Sequence, residues 1–141
     1  MITYDADRIR PWLEERVGLK LHPEATFMAT AACGKLQTAV AFSNYRPDTD
    51  IELTVATEGK GLKSAMALIR AVFVYVFEQS NCRRCTARIR ADNEKSIKLA
   101  ARIGFKEEGR LRQGFGDVDA LVFGLLRDDF YGLCRQPPES P

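Results

Sequence analysis

Three features of this sequence have chemistry to offer: a carboxylate at Glu52, a glycine loop at Glu58-Gly59-Lys60-Gly61-Leu62-Lys63-Ser64, and a crowd of arginines in the second half. The loop joins an alternating segment, Asp50-Ile-Glu-Leu-Thr-Val-Ala56, to a long apolar run. Its glycines allow a tight turn into a helix whose first backbone N–H groups lack partners, and the helix dipole adds partial positive charge there. Lys60 and Lys63 reinforce that charge, so the pattern predicts an anion, a phosphate by preference, at the mouth of the helix. A plain tight turn with solvated lysines would carry the same letters. Glu52 is the odd residue: Ile51, Leu53 and Val55 take one face of the alternating segment, and Glu52, Thr54 and Ala56 the other.

The remaining chemistry is weaker. Arg83, Arg84, Arg88, Arg90, Arg102, Arg110 and Arg112 leave room for an acidic ligand, an RNA or a ribosome-associated role, or are simply solvated faces. A net charge of +2 is too small to argue for nucleic acid as the main partner. Cys82-Arg-Arg-Cys85 has CxxC spacing, but no second pair completes a zinc site, and Cys33 and Cys134 stand alone, so no metal is expected. If 82–90 is a strand, the two thiols point to opposite faces, and reduced structural cysteines are expected. His22, the single histidine, sits beside Pro23 and reads as a turn residue rather than a base.

The elements that must position these residues follow from patterning. Asp5 and Asp7 can cap a helix carrying Ile9, Leu13 and Val17 and stopped at Gly18; Pro11 suggests that it begins only after Arg10. Residues 26–33 and 36–45 read as strands around a two-residue turn at Gly34-Lys35. After the loop, Leu62, Met66, Ile69, Phe73 and Val76 recur at helical spacing, giving a helix about 30 Å long. Residues 85–91 alternate as a strand. Asp92 or Asn93 then caps a helix buried through Ile97, Ala100, Ala101 and Ile103 and closed by Gly104 and Phe105. Two strands, 105–113 and 118–126, complete the order, the last apolar on both faces and so interior.

At 141 residues, 45% hydrophobic and 28% charged, the chain suits one domain, placed at 1–134, with a disordered tail at 135–141. Arg70 interrupts the longest apolar run and no signal-peptide order opens the chain, so a cytoplasmic protein without a membrane span is expected.

Helix, three strands, glycine loop and helix, strand, helix, two strands: this order resembles the GNAT N-acetyltransferase superfamily over nearly the whole chain. Three passages carry the resemblance: residues 52–65 with the glycine loop, Ala91-Asp-Asn93-Glu-Lys-Ser96, and Arg102-Ile-Gly104-Phe105-Lys-Glu-Glu108-Gly109. They look most like the branch holding ribosomal-protein N-terminal acetyltransferases and small phage or bacterial relatives. The resemblance implies an α/β (α+β) fold, with a mixed, mostly antiparallel sheet, two central splayed parallel strands and helices on both faces.

It also implies acetyl-CoA as cosubstrate and transfer to a primary amine in a ternary complex, the acceptor being a protein N-terminus, a lysine or a small molecule. On that basis Gly59, Lys60, Gly61, Leu62, Lys63 and Ser64 would hold phosphate, Thr54, Val55 and Ala56 would offer backbone bonds to pantetheine, and Asn93 and Ser96 would face it. Glu52 would be the base, and Tyr45, Asp117 and Asp119 would bind a cationic acceptor. Two departures stand out. Glu58 and Lys63 occupy loop positions where the family has Gln or Arg and Gly or Ala, and Ala100 stands where many relatives carry a tyrosine general acid. A non-catalytic module binding acyl-CoA or a macromolecule is the alternative, and the apolar last strand would allow a homodimer.

Overall fold

The computed structural model describes residues 1–58 and 62–135, with segments 62–65 and 132–135 described by backbone alone. Seven strands, β1 (Ile2–Thr3), β2 (Thr26–Ala32), β3 (Lys35–Arg46), β4 (Asp50–Thr57), β5 (Arg84–Arg90), β6 (Lys106–Leu111) and β7 (Ala120–Leu126), form one sheet in the order β1-β2-β3-β4-β5-β7-β6. Four α-helices accompany it: α1 (Ala6–Val17), α2 (Leu62–Phe73), α3 (Glu94–Ile103) and α4 (Arg127–Arg135). Every pairing is antiparallel except β4 with β5.

Helices cover both faces of the sheet. On one side Ile51, Leu53, Val40, Ala87 and Ile89 pack with Leu68, Val72 and Phe73 of α2 and Ala100 of α3. On the other, Ile9, Leu13 and Val17 of α1 pack with Ala39, Ala41, Ala56 and Phe115. Strand β4 thus buries residues on both faces, and its alternation separates two cores rather than a core from solvent.

Several expectations need correcting. Helix α1 starts at Ala6 and runs through Pro11, whose missing N–H costs about 3 kcal/mol. Ile9, Leu13 and Val17 are each at most 2% exposed, and burying three such side chains at roughly 1.5–3 kcal/mol apiece outweighs that loss. The β2–β3 turn is Cys33-Gly34, one residue earlier than the Gly34-Lys35 expected, since Ala32 faces Lys35 and both turn residues have positive φ, 51° and 77°. That geometry matches the strand twist, and Gly34 adopts it without strain.

The long helix changes its winding: Val74–Gln79 is π-helical, with Ser80 N–H donating to the Tyr75 carbonyl at 2.8 Å. This stretch sets Tyr75 edge-on to Phe42 at 4.9 Å, and Phe77 stacks on Phe73 at 5.6 Å. Phe105 and Phe130, the latter from the unexpected helix α4, complete an aromatic cluster around Phe73 at 5.9 and 4.9 Å. Cys82 precedes β5 instead of lying in it, so both thiols are buried in one core rather than on opposite faces. Burial raises the pKa of both, which keeps them neutral.

The expected tail lies outside the described residues beyond Arg135. Among the described residues no helix is long and apolar enough to cross a membrane, and no group of three His, Cys, Asp or Glu is placed to hold a metal ion.

Candidate active site

The parallel pair at the sheet's centre is short. Glu52, Leu53 and Thr54 face Thr86, Ala87 and Arg88, and pairing stops there. Beyond it, Val55 and Ala56 have register partners only on β3, while Ile89 and Arg90 have theirs only on β7. The strands therefore splay toward their C-terminal ends. Helix α2 follows β4, and α3 follows β5.

Between the helices, over the splay, lies an apolar crevice of about 40 Å³ lined by Val55, Ile89, Leu68, Ser96 and Ala100 among others. Ser96 is 2% exposed and its hydroxyl has no partner. A buried hydroxyl left unpaired costs about 1–3 kcal/mol, so it is a natural seat for a polar group of a ligand threading the gap. Its neighbour Asn93 is committed: the side-chain oxygen caps α3 by accepting from the Ser96 N–H at 3.1 Å. Ser96→Ala is expected to leave folding stability unchanged or raise it by about 1 kcal/mol. The same change should weaken a ligand in the splay several-fold, which thermal melts and titration on one preparation would separate.

Glu52 is the first residue of the paired seam, two positions before the last pair, on the face opposite the crevice, half-buried, with Asn44 Nδ2 donating to its Oε2 at 2.8 Å. Two further groups on that face are held by their neighbours. The Thr86 hydroxyl lies 3.0 Å from both Asp50 carboxylate oxygens, and Arg84 bridges Asp50, at 3.6 Å, to Glu108, at 2.6 Å. Burial raises the Asp50 carboxyl pKa against the pull of Thr86 and Arg84. Arg88 reaches the Gly114 carbonyl at 3.4 Å and lies over the Phe115 ring, but its Nε has no partner.

The expected acceptor residues do not gather around Glu52. Tyr45 is half exposed, and its hydroxyl donates to the Ser80 carbonyl at the end of the π-helical segment, which packs over the other face. Asp119 accepts from the Gln113 N–H and from Arg110, both at 2.9 Å, and the pull of these two, Gln113 first, lowers its carboxyl pKa. Asp117 stands 3.7 Å from Arg90. Both belong to the β6–β7 loop at the Arg90 end of β5, four residues or about 13 Å along the strand from the level of Glu52. Of the cofactor residues, Gly59, Lys60 and Gly61 lie outside the described residues. Leu62, Lys63 and Ser64 open α2, and their side chains lie outside the description.

Sequence reasoning missed one contact here. Arg16 of α1 pairs with Glu58 at the end of β4, Nη2 to Oε2 at 3.0 Å, across 42 positions. No local pattern announces so distant a pair.

A mixed seven-stranded sheet whose single parallel pair splays, with a helix starting behind each splayed strand, defines an acetyltransferase-type fold. The family model described as Acetyltransferase (GNAT) domain matches residues 3–106, and the chain belongs to that family. It is 34% identical over 79 residues to YdaF of Bacillus subtilis (strain 168), whose name assigns it provisionally to ribosomal N-acetylation; the match spans 53% of this chain and 42% of that protein. The chain thus aligns with under half the length of that curated relative. Among solved structures, an N-acetyltransferase from Staphylococcus aureus Mu50 superposes with TM-score 0.66 at 20% identity, covering 89% of this chain and 97% of that one. The ribosomal-protein-S5-alanine acetyltransferase from Vibrio fischeri superposes with TM-score 0.62 at 21% identity, covering 88% and 71%. Likeness at such identities speaks for the fold.

Proposed function

We propose that this protein is an acetyl-CoA-dependent N-acetyltransferase that acts on a primary amine in a ternary complex. The observation that carries the reading is the splay beyond Thr54 and Arg88, with the orphaned Ser96 hydroxyl in the crevice beside it. These residues fit the cosubstrate. The β4 edge at Val55 and Ala56 offers backbone groups to an amide-bearing chain, Ser96 offers its hydroxyl, and the start of α2 with Lys60 and Lys63 suits a pyrophosphate. Bound there, acetyl-CoA would supply an acetyl group activated as a thioester.

The chain's own work is to bring the amine to the splay and to take its proton. Glu52 is the residue for both: its carboxylate attracts the ammonium form and then accepts a proton from it, while Asn44 steadies Oε2. A protein N-terminus, a lysine and a small amine remain equivalent acceptors at this level, because the acceptor residues expected, Tyr45, Asp117 and Asp119, do not gather around Glu52. A second reading, a module that binds acyl-CoA without turnover, draws on Ala100, which lines the crevice with no group able to protonate a departing thiolate.

The deciding experiment is calorimetric titration of the purified protein with acetyl-CoA, with Gly61→Glu as control. Wild-type binding that the extra carboxylate abolishes would support the cofactor site and justify an acceptor screen. A folded wild type that takes no acetyl-CoA would overturn both readings.

A further inference from the structure

The first residue of the glycine loop is a carboxylate beside a site read as one for phosphates, which by itself should repel the ligand. Arg16 answers it. Its Nη2 lies 3.0 Å from Glu58 Oε2, its Nη1 donates to the Trp12 carbonyl at 3.0 Å, and its guanidinium stacks 3.8 Å over the Trp12 ring. Only a quarter of the side chain is exposed, and its Nε is buried without a partner. Stacked and bonded on α1, the guanidinium is held in place before any ligand arrives. The hydrogen bond from Arg16 is the main reason that the Glu58 carboxyl pKa falls below its usual value, and Lys95, at the start of α3, pulls the same way. Arg16, Asn93 and Lys95 also share the wall of an open basin of about 950 Å³. The Arg16–Glu58 pair therefore ties α1 to the end of β4 on the side where β4 and β5 separate.

We propose that Arg16 is a positioning residue for the cosubstrate: it neutralises Glu58 and holds that carboxylate against α1, so that a loop beginning with an acid still accepts a polyanion. This rests on the acetyl-CoA reading above. It also explains how this chain carries glutamate where the resemblance implies Gln or Arg: the compensating charge comes from a helix more than forty positions away.

The test is acetyl-CoA titration of the wild type, Arg16→Ala, Glu58→Gln and the double variant, at low and at high salt, with far-UV circular dichroism confirming that each is folded. Arg16→Ala is expected to weaken binding about tenfold at low salt and less at high salt, since it exposes a like charge near the phosphates. Adding Glu58→Gln should restore the affinity, a rescue that mere damage to α1 would not show. Glu58→Gln alone should bind as tightly as wild type or more so, which keeps the proposal testable should Arg16→Ala not fold. An unchanged Kd in Arg16→Ala, a double variant as weak as Arg16→Ala, or a Glu58→Gln variant weaker than wild type would each overturn it. A wild type that does not bind acetyl-CoA brings down the cofactor reading first, and this inference with it.

Discussion

Glutamine at position 52 is expected to slow acetyl transfer by about 10² to 10⁴-fold while leaving acetyl-CoA affinity unchanged, the range that general-base catalysis supplies. The substitution keeps the shape of the side chain and a carbonyl oxygen for Asn44, and removes only the capacity to take up a proton. Glu52 lies on the sheet face opposite the crevice, so the cofactor titration should not respond. Steady-state rates with a saturating acceptor, measured beside that titration, separate the two effects. Wild-type turnover in the glutamine variant would remove Glu52 from the chemistry and point to water as the proton's destination.

The largest stability effect is expected from Phe73→Ala. Phe73 is 2% exposed and stands within 6 Å, centroid to centroid, of Phe77, Phe105 and Phe130. These come from the π-helical segment, from the residue before β6 and from α4, so one side chain joins three elements far apart in sequence. Truncating a buried phenylalanine costs about 3–5 kcal/mol, a large part of the roughly 5–15 kcal/mol that a domain has. Urea denaturation should show a lower midpoint with an unchanged slope. A loss below about 1 kcal/mol would mean that the cluster collapses around the gap, contrary to close packing.

Much of this architecture was legible because the local signals agreed with the tertiary outcome. The change from alternation to helical spacing across the glycine loop placed β4 and α2, and Asp92 or Asn93 with Gly104 marked the ends of α3, where the structure shows Asn93 as the capping side chain and Gly104 as a left-handed residue with φ 112°. The interior position of β7 followed from apolar residues on both its faces; β6, whose residues are all exposed, takes the edge. What stayed hidden was decided by contacts across the chain. Pro11 argues locally for a helix start and is overruled by three anchors on the sheet. Cys33 adopts a positive φ that its residue type does not advertise, and α4 is a short helix with Gly132 inside it. In the candidate site, the splay of the parallel pair agreed with expectation; Ser96 is buried with an unpaired hydroxyl, Tyr45 and Asp119 bond to other groups, and Arg16 was not foreseen.

The short seam between β4 and β5 has a mechanical consequence. Strand β5 is fastened to β7 along all seven of its residues but to β4 along only three, so the sheet is two leaves joined by a narrow hinge line. Leaf contacts are completed by α2 and α3 across the crevice, and any molecule seated in the gap adds a strut between them. Such a strut stabilises the whole by mass action, about 2.7 kcal/mol at a hundred times its dissociation constant. The empty protein is then the more pliable form, and filling the gap couples the fluctuations of the two leaves.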